Sequence, residues 1–148
     1  MGQLQKFKDH FILMVEAGFI AVNQADEDAA LKLFKASELL DPQNVLPQMG
    51  RGYIHLCKLE LKQAVKVFED ILAKDPSSEM ARTFLGLSMS LNPAEVIKGE
   101  KVLEESAANA KDPMVKDLAS SALEFVEKFV KKAPTPAQGQ AAPKKKNK

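Results

Sequence analysis

The chain has no tryptophan, one tyrosine and one cysteine in 148 residues. A lone thiol, Cys57, forms no internal disulfide, so the fold depends on its apolar core, and a reducing cytoplasm is the expected setting. Only two histidines occur, His10 and His55, 45 positions apart; this is not a metal-ligand spacing, and one surface and one half-buried imidazole are expected. Cys57 lies two residues after His55, and side chains two apart on a helix point to different sides, so a nucleophile pair is not expected. No apolar run approaches the roughly 18–20 residues of a membrane span. The stretch Met1 to His10 lacks the apolar segment of a secretory signal, and Lys6 stands where a myristoylation motif needs Ser or Thr. Gly50 and Gly52 follow no strand, so they are not a phosphate loop. With no acid–base pair or ligand cluster standing out, the expectation is a chain that is not an enzyme and holds no metal or cofactor. No stable membrane insertion is expected either.

Charge is unevenly spread. From Lys131 to the end the chain carries six lysines and no acid, which leaves 15 basic and 20 acidic side chains, a balance of −5, on positions 1–130. A mildly acidic folded part argues against a nucleic-acid partner, because such domains concentrate positive charge on the folded surface. Residues 133–148 are Ala, Pro, Gln, Gly, Asn, Thr and Lys, too polar to offset the entropy of ordering, and are expected to form a disordered basic tail. Residues 1–132 form the expected single domain, with 45% hydrophobic and 28% charged residues in the chain placing it among ordinary globular proteins.

The sequence repeats itself at a fixed interval. Gly18, Gly52 and Gly86 are evenly spaced, and the same spacing separates Ala30 from Ala64, Phe34 from Phe68, and Asp41-Pro42 from Asp75-Pro76. Apolar periodicity and caps predict helices over 11–23, 27–40, 46–58, 61–74 and 79–91, with 1–10 extending the first. Asp26 and Ser78 are N-cap candidates, and Asn92-Pro93 resembles a cap that opens a sixth helix running to about Asn109. Asp112-Pro113 is expected to end the third repeat, three positions later than the interval from Asp75-Pro76 predicts, with Lys98 where alanine is expected. A last helix from Met114 to about Lys131 places Val115, Leu118, Ala122, Phe125, Val126 and Phe129 on one face.

The interval is that of a helix–turn–helix unit of about 34 residues, and small, large apolar and Pro residues at these offsets resemble the tetratricopeptide repeat. The resemblance covers roughly residues 11–112. It implies an all-α fold: a solenoid of three helical hairpins closed by a C-terminal capping helix. The glycines are expected to face Ala30, Ala64 and the third equivalent, with Phe34 and Phe68 between successive hairpins. Gln48, Arg51 and His55 depart from the family, which packs apolar side chains there. Either that helix is rotated, or these groups bond polar atoms inside.

In this family the first helix of each repeat lines a concave face through its second, fifth, ninth, twelfth and thirteenth positions. Here those are Ile12, Val15, Phe19, Val22 and Asn23; Leu46, Met49, Tyr53, Leu56 and Cys57; and Met80, Thr83, Leu87, Ser90 and Leu91. Twelve of the fifteen are apolar or amphipathic, Asn23, Thr83 and Ser90 being the exceptions. Such a stripe fits the apolar face of an amphipathic helix, and Met49 and Met80 suit an adaptable surface. The same positions serve as core if the solenoid winds tightly or if Leu4 and Phe7 cover them. A clamp for a peptide carboxylate needs Lys, Asn and Arg here, and Val15, Phe19, Met49 and Tyr53 exclude it.

The stretch Arg51-Gly52-Tyr53-Ile54-His55-Leu56, followed by Gln63-Ala64 and Phe68, is similar to the second hairpin of the tetratricopeptide chaperones of bacterial type III secretion, most closely those of the needle subunit. The resemblance implies a cytoplasmic chaperone of a virulence apparatus. It would hold the needle protein's C-terminal helix in the groove, prevent premature polymerisation, and work beside a second, small helical co-chaperone. Chaperones of pore-forming translocators, and scaffolds of unrelated complexes, are the alternatives. A continuous stripe favours a bound helix over an extended peptide.

Overall fold

The computed structural model describes residues 2–131, with side chains from Gln5 onward. The expected tail, 133–148, and the packing of Leu4 lie outside the described residues. Among the described residues seven α-helices follow one another: α1 Gly2–Asn23, α2 Glu27–Leu40, α3 Leu46–Cys57, α4 Leu61–Lys74, α5 Glu79–Ser90, α6 Val96–Asn109 and α7 Pro113–Phe125, with α7 running into a π-helical turn, Val126–Lys131. They pair as three antiparallel hairpins, α1 on α2, α3 on α4 and α5 on α6. Each hairpin packs on the next through α2–α3 and α4–α5, and α7 closes the stack against α5 and α6. The architecture is an all-α tetratricopeptide-like solenoid with a C-terminal cap.

Caps set the helix starts. Asp26 accepts from the Ala29 amide at 3.1 Å and Ser78 from Ala81 at 3.2 Å. Asn44, one residue before the α3 N-cap Val45, accepts from the Leu46 amide at 3.0 Å, and the N-cap Asp112 accepts from Met114 at 2.9 Å. Asn44, Ser78 and Asp112 are evenly spaced, at the interval of the repeat. Asp112-Pro113 is therefore not the equivalent of Asp75-Pro76. Asp41 and Asp75 cap helix C-termini, whereas Asp112 starts α7 with Pro113 in its first turn. From the N-cap Ser78 to the N-cap Asp112 the third repeat thus keeps the common period.

Its second helix does not keep register. The first two hairpins turn through a residue in the left-handed region, Ala25 at φ 59° and Leu59 at φ 56°, one repeat apart. Each turn closes by the same bond, Asp26 N to Ala21 O and Glu60 N to His55 O, both 2.9 Å, the six-to-one bond of a Schellman closure. The next equivalent is Pro93. A proline ring holds φ at about −65° and forbids that turn. The connection lengthens instead. Asn92 still accepts from the Ala94 amide at 3.1 Å, but α6 begins only at Val96 and every later position of that helix arrives one residue late. Gly99, not Lys98, occupies the small-residue site, Leu103 takes the place of Phe34 and Phe68, and Ser106 that of Ser37 and Ile71; Gly99, Leu103 and Ser106 are buried like their counterparts.

The core gives Gly18 and Gly52 a different nearest neighbour from the expected one, whereas Gly86 meets Gly99, the third small residue, with a Cβ on it 3.2 Å from Gly99 O. A Cβ on Gly18 would lie 2.5 Å from the Phe34 ring, and one on Gly52 2.7 Å from the Phe68 ring. They face the phenylalanines of their own hairpins rather than Ala30 and Ala64. Gly50 also abuts the Phe34 ring, so that ring is held between the glycines of two hairpins. Phe34, Phe68, Ile71 and Leu103 are fully buried. Buried hydroxyls bond their own helices: Ser37 donates to Phe34 O and Ser90 to Gly86 O, each at 2.7 Å, and Thr83 to Glu79 O at 2.9 Å. Among the described residues no buried side-chain polar atom lacks a partner.

On the closing helix, Val115, Ala119, Ala122 and Val126 are buried, but Phe125 and Phe129 of the expected apolar face are 47% and 63% exposed, their tilted rings meeting at 5.0 Å. The change from α to π winding after Phe125 alters the angular spacing, keeping Val126 inward while Phe129 points out.

Candidate functional site, the first-helix face

The expected groove positions form two layers. Val15, Met49, Leu56 and Thr83 are at most 6% exposed and lie beneath the surface, where no partner reaches them. Met49 and Leu56 belong to the central core with Phe68, Ile71 and Ala81, and Thr83 is pulled inward with its hydroxyl on Glu79 O. Ser90 is buried too, against Gly99, and Cys57 is exposed. Above this layer Phe19, Val22, Tyr53, Met80, Leu87 and Leu91 are half-buried, and Ile12 and Leu46 are 50% and 37% exposed.

The upper layer is organised by aromatic rings. Phe19 meets Phe34 edge-on at 5.3 Å and Tyr53 at 5.7 Å; Tyr53 meets Phe84 at 5.7 Å, and Phe84 stacks on Phe68 at 5.5 Å. The ladder runs across α1, α3 and α5 and fixes the first helices relative to one another. Phe84 is not at an expected groove position. Its signal in the sequence is that it stands one repeat after Gly50, an aromatic ring where the preceding hairpin has no side chain. Tyr53 donates its hydroxyl to Asn23 Oδ1 at 2.8 Å, tying α3 to the end of α1. Burial raises the Tyr53 phenol above its ordinary value, and Cys57 beside it raises it further, so the group stays neutral at physiological pH.

The opposite side of α3 answers the question posed by Gln48, Arg51 and His55. Arg51 pairs with Glu38 of α2, Gln48 accepts from Lys74 of α4 at 3.1 Å, and His55 Nδ1 meets Glu60 at 2.6 Å. The helix is not rotated, since Gly52 and Met49 keep their inward places; the polar trio bonds neighbouring groups at the edge of the core. Glu60 also pairs with Lys58, and its carboxyl is held below its ordinary value, first by His55 and then by Lys58. Glu79 accepts the Lys111 and Asp112 amides at 2.9 and 3.2 Å, which lowers its carboxyl and fastens the start of α5 to the start of α7.

His10 is exposed and His55 half-buried. Among the described residues no group of three or more His, Cys, Asp or Glu is placed to hold a metal ion, and no helix is long and apolar enough to cross a membrane. No protein-family model matches the chain, and no curated protein matches it in sequence.

Proposed function

We propose that the chain is a cytoplasmic chaperone that sequesters an amphipathic helix of a type III secretion needle subunit on its first-helix face and so prevents premature polymerisation. One observation carries the reading. A run of partly exposed apolar side chains, Ile12, Phe19, Leu46, Tyr53, Met80 and Leu87, crosses the first helices of three successive hairpins on a buried and rigid support. Rings locked to one another lose little conformational entropy on binding, so they suit a surface that must hold a helix by apolar contact alone. A partner helix anchored at i, i+3, i+4 and i+7 would cover these groups, and the same stripe of the partner is then unavailable for self-assembly. The resemblance of Arg51–Leu56, Gln63-Ala64 and Phe68 to the needle-subunit chaperones supports a needle protein as the partner and a small helical co-chaperone beside it.

The test is recovery of the chain from its native cytoplasm, followed by mass spectrometry of what accompanies it. A small self-assembling secreted subunit, whose fibre formation in light scattering stops at one equivalent of added chaperone, is the expected result. Recovery with a large translocator, or fibre formation at an unchanged rate, would overturn the reading.

A further inference from the structure

We propose that the cleft between the first and second hairpins is a binding site for a small organic oxyanion, a carboxylate or a phosphate ester. The cleft measures about 430 Å³ and is lined by Glu38 of α2, Gln48, Arg51 and His55 of α3, and Val67 and Lys74 of α4, among others. That volume lies within the roughly 300–1,000 Å³ of small-molecule pockets. It is separate from the aromatic face, because Arg51 and Tyr53, two residues apart on α3, point about 200° from each other.

The cleft exists because of its side chains. The positions equivalent to Gln48, Arg51 and His55 hold Met14, Ala17 and Ala21 in the first hairpin and Arg82, Leu85 and Met89 in the third. Only in the second hairpin are all three polar. Long side chains with charged or amide heads extend to the rim rather than filling the space between helices, and the space stays open.

Its chemistry is that of an anion site. Two cations, Arg51 and Lys74, face one carboxylate, Glu38. Arg51 makes one bond to protein, through Nη2 to Glu38, and a guanidinium carries five N–H donors. Lys74 makes one, to Gln48, and an ammonium carries three. His55 lines the cleft with Nδ1 engaged by Glu60. Arg51 and Lys74 thus retain four and two N–H donors, while Glu38 Oε1 and Gln48 Oε1 are engaged by them, so donors outnumber the acceptor sites left on those two side chains. Val45, Val67 and Pro42 supply an apolar wall for the carbon skeleton of a ligand. An oxyanion bridging Arg51 and Lys74 would join α3 to α4 and, through the Glu38 pair, to α2.

The experiment uses the full chain at constant ionic strength. Citrate and inorganic phosphate are titrated separately, with binding read by calorimetry and by amide chemical shifts. The expected result is saturable binding of at least one anion, with shifts clustered at residues 38–55 and 67–74. Lys74→Met should weaken it at least tenfold and Arg51→Gln at least as much, while Lys32→Met, which removes an exposed cation paired with Asp28 on α2, leaves it unchanged. Binding of citrate alone assigns carboxylates, and binding of phosphate alone assigns phosphate esters. Both anions also stabilise proteins non-specifically, but that effect does not saturate and survives in Lys74→Met. A non-saturating response to both anions, or equal affinity in wild type and Lys74→Met, overturns the proposal.

Discussion

Phe34 offers a test in which a single methyl group changes the sign of its effect. Its ring is fully buried and lies against two glycines, Gly18 of its own hairpin and Gly50 of the next. Phe34→Ala removes the ring and should cost about 3–5 kcal/mol, since helical backbone on both walls collapses poorly into the void. Gly50→Ala pushes a methyl into a ring with nowhere to go. Overpacking of this kind costs about 1–3 kcal/mol, offset by about 1 kcal/mol of helix propensity, for a net loss of about 0–2 kcal/mol. In the double variant the methyl enters the space the ring has left. The overpacking disappears and the propensity gain remains, so Gly50→Ala should raise the stability of Phe34→Ala by about 1 kcal/mol, a coupling of about 1–3 kcal/mol. Urea unfolding followed by circular dichroism, with equal m values across the four proteins, measures each term. Combining Gly50→Ala with Phe68→Ala is the control, because the three atoms nearest the added Cβ all belong to Phe34. Equal cost of Gly50→Ala in the wild-type and Phe34→Ala backgrounds would refute this picture of how the first two hairpins meet.

Further outcomes follow from the turns, the carboxylates and the exposed rim of the aromatic face. Leu59 is 68% exposed and sits at φ 56°, where a non-glycine residue costs roughly 1–2 kcal/mol, so Leu59→Gly should stabilise the chain by about 1 kcal/mol in thermal unfolding; a lowered melting temperature would contradict the strain assigned to that turn. Glu60 and Glu79 have folded-state values below the ordinary 4.5, so they contribute stability above that pH and lose it as pH falls through their lowered values. Urea midpoints between pH 7 and pH 3 should therefore fall below about pH 4.5, and fall less in Glu79→Gln, whose side chain cannot titrate. Ile12→Asp and Leu46→Asp, on side chains 50% and 37% exposed, should cost the fold about 1 kcal/mol or less. The same carboxylates buried unpaired under a helix should weaken partner capture more than 100-fold, about 3 kcal/mol, in a pull-down titration. Retained capture in both variants would move the binding surface elsewhere.

Much of the fold is legible because its signals are local. The bounds of α2 and α4 follow from Asp26, from the two Asp-Pro stops and from apolar residues at helical spacing, and the structure returns the same bounds. The third hairpin resists such a reading where one residue type serves two jobs. Asp-Pro both ends a helix and starts one, and only the positions of Asn44 and Ser78 show which role Asp112 has. The slip from Lys98 to Gly99 has a visible cause, Pro93 at a position that elsewhere takes a left-handed conformation, but the need for that conformation is a property of the turn and not of Ala25 or Leu59 as residues. At the candidate site, periodicity identifies the face but not its depth. Met49 falls at a groove position by periodicity; at 3% exposure it is core, and Met49→Glu would attack the fold rather than the partner. Phe84 escapes the pattern because its importance lies in which rings it touches, on α3 and α4, and contacts between elements are not written in either one.

The one-residue delay of α6 has a consequence for how this chain tolerates change in length. The delay begins at Pro93 and is gone by Asp112, where the next helix starts on schedule, its opening amides held by the Glu79 carboxylate. The outer connection absorbs the delay: three residues, 110–112, separate α6 from α7, where four, 75–78, separate α4 from α5, so the residue gained before α6 is lost after it. The inner turn and the outer connection of a hairpin can therefore trade a residue while the spacing of the caps on either side stays fixed. An alignment that holds strict register through every helix will misplace α6 and recover at α7.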